Sequence, residues 1–266
     1  MFSDWLEKRK RDDLFRECRI LESAQGAVVR YQGRDLVLMG SNNYLGLNGH
    51  PDLVAAGNQA QSTYGTGAGG SRLTTGTLTL HDQVEKRIAS LKGTEAALGV
   101  SHLVDIQVGT LSKAVPSVGG YVAGSQYLID YLQNTARSFI YSTALPPSAL
   151  AVSLAAIDLV EAADEKRSSL MEKAQWLGQQ LQKIGFEVLP VESPIVVALV
   201  GDPDRALKLS QGLLDAGIYV PAIRPPTVPK GTSRLRFSLM ADHSQDHLTQ
   251  VLSTLRALTT GESGAS

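Results

Sequence analysis

The spacing of hydrophobic positions is most regular in the last third of the chain. There, short apolar runs alternate with segments of helical spacing, which predicts a small α/β domain from about 184 to 260. Gly217 follows the first of these helices, where a glycine is typical of a helix end. The predicted elements run strand, strand, helix, strand, strand, helix: 186–189, 195–200, 203–216, 218–220, 235–240 and 244–258.

The first two thirds also contain periodic segments, but long polar, glycine-rich loops separate them. β-rich runs predict a hairpin and two further strands: 28–31 with 35–39, then 103–108 and 119–123, with a turn over 109–113. Helical spacing predicts five helices, the last with a break near 163–164: 2–16, 51–64, 80–91, 126–134 and 147–183.

Composition narrows the class of protein. The chain has 266 residues, a net charge of −1 and a single cysteine, Cys18, so we expect neither a nucleic-acid binder nor a disulfide framework. Its longest obvious apolar run, 195–200, is far shorter than the roughly 20 residues of a membrane span. We therefore expect a cytoplasmic globular protein that handles a small molecule.

Lys113 is the first candidate for chemistry. It follows a buried-type strand and stands beside Thr110 and Ser112 in a predicted tight turn. Hydroxyl and backbone N–H groups suit a phosphate, and a partly desolvated lysine can attack an aldehyde to form a Schiff base. The alternative is an ordinary solvated loop lysine.

Gly65, Gly67 and Gly70 match a dinucleotide-binding pattern. That pattern requires a strand before it and a helix directly after it, whereas a helical segment precedes it here. We favour a loop whose backbone closely approaches a ligand or a second subunit. An NAD-dependent oxidoreductase is the alternative.

Two pairs of side chains complete the candidates. Arg234 and Arg236 are two residues apart on a predicted strand, so they share a face, and an arginine there could hold a carboxylate. The alternative is a pair of solvated arginines on an edge strand. His243 and His247 have the four-residue spacing of a zinc pair, but Asp242 and Asp246 indicate a solvated helix face instead.

Five motifs, in order along the chain, resemble those of the α-oxoamine synthases, PLP-dependent enzymes of aminotransferase fold type I. The motifs are SNNYLGL (41–47), GTGAGGSRLTTGT (65–77), VDIQVGTLSKA (104–114), YSTALPPS (141–148) and IRPPTVPKGTSRLR (223–236). The resemblance implies an α/β fold with a large, mainly parallel sheet domain and a small C-terminal domain. It divides the chain into an N-terminal helix and hairpin segment (1–50), a PLP-binding domain (51–183) and the small α/β domain (184–266).

The resemblance also implies roles for single residues. Lys113 would form the internal aldimine with PLP and later move the Cα proton, and Thr110 would hold the cofactor phosphate. Ser142 and Thr143 would reach the phosphate of the neighbouring subunit's cofactor. The active unit would therefore be a homodimer, with the 65–77 loop at the subunit boundary.

Substrate contacts are implied in the same way. Arg236 and Asn42 would hold the carboxylate of the amino acid, while Arg16 and Thr227 would contact substrate near the acyl entry. The IRPPTVP motif (223–229) is most similar to that of the branch of the family that joins L-alanine to a pimeloyl thioester in biotin synthesis, with loss of CO₂. Another branch, such as the one that joins glycine to acetyl-CoA, is the alternative, and the thioester carrier, CoA or acyl-carrier protein, stays open.

One departure from the family is large. The family has on the order of a hundred further residues between 97 and 103, a domain-sized segment. That segment supplies a phosphate-binding loop, a His that stacks on the pyridine ring and an Asp that pairs with the ring nitrogen. Either the natural molecule contains a disordered segment that this sequence omits, or the protein lacks it.

We favour the omitted segment, because a sheet without its middle strands would expose apolar edges. This interpretation predicts a chain break at 97–103 and a crystal without PLP. A true deletion predicts weak or absent catalysis, and a non-catalytic subunit or remnant is a further alternative. The presence of Lys113 argues against a natural pseudo-enzyme.

Overall fold

The computed structural model describes residues 2–11, 14–15, 18–94 and 104–262. Its α-helices within these residues are α1 (Phe2–Arg11), α2 (Pro51–Tyr64), α3 (Thr79–Thr94), α4 (Gln126–Thr135), α5 (Arg137–Tyr141), α6 (Pro147–Glu161), α7 (Asp164–Lys183), α8 (Pro203–Asp215) and α9 (Gln245–Glu262). Its strands are β1 (Val28–Tyr31), β2 (Arg34–Leu38), β3 (Ile106–Ser112), β4 (Pro116–Gly124), β5 (Glu187–Val188), β6 (Ile195–Gly201), β7 (Ile218–Tyr219), β8 (Ala222–Ile223) and β9 (Ser233–Ser238).

Local sequence explains where several helices begin. Prolines stand at the first turn of α2, α6 and α8, where the missing N–H has no helical partner to lose. The Asp202 carboxylate accepts a hydrogen bond from the backbone N–H of Arg205 at 2.7 Å, and the Ser125 hydroxyl accepts one from Leu128. These caps satisfy amide groups that the first turn leaves open.

The chain forms two compact units. The first unit joins Met1–Ser41 to Ser168–Ser266, and the second contains Asn42–Arg167. These packing units and the predicted domains divide the chain at different places, and the predicted domains at 1–50, 51–183 and 184–266 stay a prediction.

The first unit contains two sheets. β1 and β2 form the predicted hairpin, and β2 pairs in parallel with β7. The other sheet has the order β5-β6-β9-β8, and each neighbouring pair is antiparallel. The core side chains of these sheets and of α7, α8 and α9 are fully buried, among them Leu177, Val196, Leu213, Leu235, Phe237 and Leu248.

The second unit packs α2, α3 and α6 around two small apolar clusters. One cluster centres on Leu45, Leu53 and Ala156, and the other on Val84 and Ile157. Its sheet within the described residues is the antiparallel hairpin β3–β4 alone. Among the described residues of this unit, the predicted large, mainly parallel sheet is represented by this antiparallel hairpin alone.

Several predictions from the sequence can be compared with the structure directly. The break between α6 and α7 falls at 162–163, as predicted. The predicted turn over 109–113 is wrong, because β3 pairs with β4 as far as Ser112, with an irregularity between Thr110 and Ser112. The predicted chain break at 97–103 lies outside the described residues.

Candidate functional site

Lys113 stands at the point where β3 ends. It is the first of three residues that connect β3 to β4. Leu111, two residues earlier, is buried in the cluster formed with Val84 and Ile157, and it fixes this end of the strand. Lys113 itself is exposed, so the partly desolvated pocket expected from the sequence is not formed by the described residues.

A pair of hydroxyl groups lies beside this lysine in the sequence. Thr110 and Ser112 flank the buried Leu111, and both are exposed. Their hydroxyl oxygens are 2.7 Å apart, and the Ser112 N–H donates to Thr110 Oγ1 at 3.2 Å. The end of β3 therefore presents two hydroxyl groups next to a primary amine, which is a donor set that suits a phosphate.

The second group of predicted residues, Ser142 and Thr143, lies against the glycine-rich loop of the same chain. Thr143 forms an antiparallel bridge with Ser71, and the Ala144 N–H donates to the Gly70 carbonyl at 2.9 Å. Ser142 and Thr143 are exposed. The structure thus brings together two of the motifs, 65–77 and 141–148.

The glycines of this loop allow a tight turn. A Cβ atom at Gly76 would lie 2.1 Å from the Gly70 carbonyl oxygen, so a side chain there would displace the backbone. α2 precedes the loop and α3 begins only at Thr79. The loop therefore lacks the strand before and the helix directly after that dinucleotide binding requires.

Sequence reasoning missed Arg72, which ties this loop to its surroundings. Its Nε donates to Thr77 Oγ1 at 3.0 Å, and its Nη1 pairs with Glu85 Oε1 at 2.6 Å. The guanidinium carbon also lies 5.3 Å from the centroid of the Phe139 ring. The position of this arginine, between a glycine pair and a threonine-rich stretch, is the sequence feature that could have identified it.

His81 at the start of α3 was also missed. It is 3% exposed, and its Nδ1 accepts the Leu78 N–H at 3.0 Å, while Nε2 has no hydrogen-bond partner among the described residues. Burial, together with the charge of Arg72, lowers the pKa of His81 from its usual value. The neutral form of His81 is therefore favoured.

Asn42, expected to bind a carboxylate, is exposed at the start of the second unit. Its Oδ1 accepts a hydrogen bond from the Tyr44 hydroxyl at 3.2 Å. The next residue, Asn43, is buried, and its Oδ1 accepts the Asn48 N–H at 3.3 Å. The two asparagines thus differ: the buried one holds the loop, and the exposed one offers its side chain at the surface.

Arg236 and Thr227 belong to the first unit. Arg234 and Arg236 are both half-buried, on the face of β9 opposite Leu235 and Phe237, as predicted. Arg234 donates from Nε to the Thr232 carbonyl and from Nη2 to the Thr232 hydroxyl, which fixes its orientation. These bonds favour a structural role for Arg234 over the alternative of a solvated arginine.

The exposed Thr227 lies in the loop between β8 and β9, where its N–H donates to the Arg224 carbonyl at 3.1 Å. Arg16 lies outside the described residues.

The expected solvated face at His243 is wrong. His243 is 1% exposed, its Nδ1 accepts the Met240 N–H at 2.9 Å, and its Nε2 lies 3.2 Å from the Leu38 carbonyl. Burial is the main cause that lowers its pKa to about 4. Both ring nitrogens have partners, and the described residues contain no group of three potential metal ligands, so the zinc alternative has no support.

No helix in the described ranges combines the length and apolarity that crossing a bilayer requires.

Comparison with known families and proteins gives consistent matches. The sequence profile of the family described as aminotransferase class I and II matches residues 94–255. A putative 8-amino-7-oxononanoate synthase of Acetivibrio thermocellus is 31% identical, with 96% of each chain covered. An 8-amino-7-oxononanoate synthase of Geotalea daltonii is 32% identical, again with 96% of each chain covered.

Solved structures show the same fold. Serine palmitoyltransferase of Sphingomonas wittichii superposes with a TM-score of 0.90 at 22% identity, covering 99% of this chain and 98% of that one. An 8-amino-7-oxononanoate synthase of Francisella tularensis gives a TM-score of 0.66 at 16% identity, with coverage of 86% and 99%. These likenesses confirm the predicted fold type.

The alignment with one relative is longer than the sequence of this chain. The match to the Acetivibrio protein extends over 374 positions, whereas this chain has 266 residues.

Proposed function

Since this chain belongs to the aminotransferase class I and II family, we propose that it condenses L-alanine with a pimeloyl thioester to give 8-amino-7-oxononanoate, CO₂ and a free thiol. The proposal includes a cytoplasmic homodimer that uses PLP. The observation that carries it is Lys113, which follows the paired Thr110 and Ser112 hydroxyls in a chain about 30% identical to synthases of that name.

The residues around Lys113 suit two parts of PLP. The cofactor presents an aldehyde, which a primary amine attacks, and a phosphate, which hydroxyl and N–H groups hold. Lys113 supplies the amine, and Thr110 and Ser112 supply hydroxyl donors. When bound, PLP supplies an electron sink for the charge that develops at Cα.

The proposed chemistry divides between Lys113 and the carboxylate-binding residues. Lys113 Nζ removes the proton from Cα of alanine and returns one to the same carbon after the new bond has formed. Arg236 and Asn42 hold the alanine carboxylate and fix which bond at Cα reacts first. Arg16 and Thr227 contact the acyl substrate.

The bonds balance without a further reactant. A bond forms between Cα of alanine and the carbonyl carbon of the acyl group, and the carbon–sulfur bond breaks to release the thiol. The bond between Cα and the carboxylate then breaks to release CO₂, and Cα takes up a proton. Two carbons from alanine and seven from the acyl group give the nine-carbon product.

Ser142 and Thr143 are proposed to donate to the cofactor phosphate of the partner subunit. The bridge between Thr143 and Ser71 supports this assignment, because it positions the exposed pair beside the loop that the family resemblance assigns to the subunit boundary. A homodimer that exchanges such contacts would lose cofactor affinity on dilution into monomers.

Covalent labelling tests the lysine assignment. The full chain is incubated with PLP, reduced with borohydride and digested, and the labelled peptide is identified by mass. We expect the label on Lys113, its loss in Lys113→Ala, and its retention in Lys166→Ala, which removes another exposed lysine of the same unit. A label on a different lysine, or none, would overturn the proposal.

Substrate competition tests the reaction. Thiol release is measured with alanine or glycine against pimeloyl-CoA, a pimeloyl-carrier protein and acetyl-CoA. We expect turnover with alanine and a pimeloyl thioester. Turnover restricted to glycine and acetyl-CoA would replace this assignment with the other branch of the family.

A further inference from the structure

The first unit contains a cavity that the proposed roles of Lys113 and Arg236 do not use. Its volume is about 220 Å³. It is lined by Arg19, Leu21, Gln25, Val29, Tyr31, Leu36, Leu38, Gly40, Ser41 and Tyr219.

The floor of this cavity is apolar. Val29 of β1 and Leu36 and Leu38 of β2 are buried there and continue into a core cluster with Leu214 and Met240. Leu21 and the rings of Tyr31 and Tyr219 pack against the same cluster. A saturated hydrocarbon chain would gain more from this surface than from water.

The rim of the cavity carries a cation. The exposed Arg19 places its guanidinium carbon 5.1 Å from the centroid of the Tyr219 ring, within the range of a cation–π contact. Among the described residues, no carboxylate forms a salt bridge with Arg19. A guanidinium that contacts a ring through its face can still donate its N–H groups to an anion in the guanidinium plane.

Gly40 shapes the wall beside Tyr219. A Cβ atom at position 40 would lie 2.7 Å from Cε1 of Tyr219 and 3.2 Å from Cδ of Pro221. The absence of a side chain therefore lets the tyrosine ring lie against the backbone and present its face to Arg19. Next to it, the Ser41 hydroxyl donates to Gln25 Oε1 at 2.9 Å, which fixes a second polar side chain of the lining.

An apolar floor with a guanidinium at its rim selects an alkyl chain that ends in a carboxylate. We propose that this cavity binds the carboxylate-ended alkyl chain of the acyl substrate, with Arg19 holding the carboxylate. The identity of that ligand rests on the proposed function, because a pimeloyl group is a seven-carbon chain with a free carboxylate at its far end.

Calorimetric binding to the full chain without PLP or thioester tests this proposal independently of turnover. The probes are heptanedioate, heptan-1-ol, which lacks the charge, and butanedioate, which lacks the chain. We expect heptanedioate to bind about tenfold or more tightly than either other probe, because a hydrogen bond to a charged group and chain burial each contribute that much. Equal binding of heptan-1-ol, or no binding of heptanedioate, would overturn the proposal.

A pair of arginine variants tests the role of Arg19. Arg19→Gln is expected to weaken heptanedioate binding about tenfold and to leave heptan-1-ol unchanged. Arg30→Gln is the matched control, since Arg30 is an exposed arginine on β1 that does not line the cavity. Unchanged heptanedioate binding in Arg19→Gln would contradict the assignment.

Kinetics separate this inference from the proposed function. In an active enzyme, Arg19→Gln should raise KM for a pimeloyl thioester and leave kcat with that substrate unchanged. If the chain binds heptanedioate through Arg19 but turns over no pimeloyl thioester, the proposed function fails and the cavity assignment stands. If turnover occurs and the Arg19 variant has the wild-type KM, the cavity assignment fails and the proposed function stands.

Discussion

Strand β9 of the first unit and hairpin β3–β4 of the second contain similar apolar residues in very different surroundings. Leu235 and Phe237 of β9 are fully buried. In the hairpin, Val108 is 77% exposed and Ile106 is 52% exposed. β9 has a strand on each side, whereas β3 and β4 pair with each other alone among the described residues.

This contrast shows that burial of a strand depends on its neighbours more than on its own composition. Valines and isoleucines favour strands because they pack on a covered, pleated surface. The hairpin contains the apolar residues that are typical of a buried strand, but these residues are exposed. The candidate lysine thus lies in the region whose strands are less buried.

The largest expected effect separates the two strands directly. Phe237→Ala should lower the free energy of unfolding by about 3–5 kcal/mol, because it opens a cavity in a closed core. Val108→Ala should change it by about 0.5 kcal/mol or less, because the side chain already contacts water. Urea unfolding followed by far-UV circular dichroism measures both. A loss above about 1.5 kcal/mol for Val108→Ala would show that the hairpin face is covered.

The next effect uses the buried His243 of the first unit. Its pKa is about 4 in the folded chain, against 6.5 for an unperturbed histidine. Between these values the unfolded chain binds a proton that the folded chain does not, so stability falls as pH falls from about 6.5 to 4. The full difference corresponds to about 3 kcal/mol.

Unfolding free energies at pH 7 and pH 4.5 check this, with His243→Gln as the comparison. The variant should be less stable at pH 7 and should show a smaller loss on acidification. The same pH dependence in both proteins would show that other groups cause it.

A smaller effect is expected for Arg72, the residue that ties the 65–77 loop to the rest of the second unit. Arg72→Lys keeps the charge but loses the planar fork that contacts Thr77 and Glu85 together. We expect a loss of about 1 kcal/mol and faster amide hydrogen exchange in 65–77. Arg137→Lys, at an exposed arginine of the same unit, is the control, and equal exchange in both variants would argue against the role of Arg72.

The smallest effect on stability is expected at Thr110. Because its side chain is exposed, Thr110→Val should alter the free energy of unfolding by about 0.5 kcal/mol or less. The same change should weaken PLP binding about tenfold, since it removes a donor to the phosphate, while Thr110→Ser keeps that donor. Fluorescence titration with PLP measures the difference, and equal affinity of the valine and serine variants would remove Thr110 from the phosphate site.

Sequence patterns predicted the elements that depend mainly on residues near each other in the chain. The hairpin β1–β2, the break between α6 and α7 and the shared face of Arg234 and Arg236 follow from turn residues and side-chain periodicity. The family motifs gave the fold type, which the comparisons confirm.

Contacts between distant parts of the chain were not predictable from the sequence. His243 is buried because its ring meets the Leu38 carbonyl, 205 residues away, so the neighbouring aspartates misled the prediction. Lys113 is exposed. Whether the end of a strand is buried depends on the elements that cover it, and these lie elsewhere in the chain. The contacts of Arg72 are closer in sequence, but they depend on the closure of a loop in which Gly76 lies against Gly70.

The hairpin β3–β4 also has a consequence for the behaviour of the purified protein in solution. The outer edge of each strand carries backbone donors and acceptors that no third strand of the described chain takes up. Such edges pair readily with edges of other molecules, and the apolar faces beside them strengthen the pairing. A purified, concentrated solution should therefore become turbid during storage, and a lysine placed at Val108 should delay that turbidity.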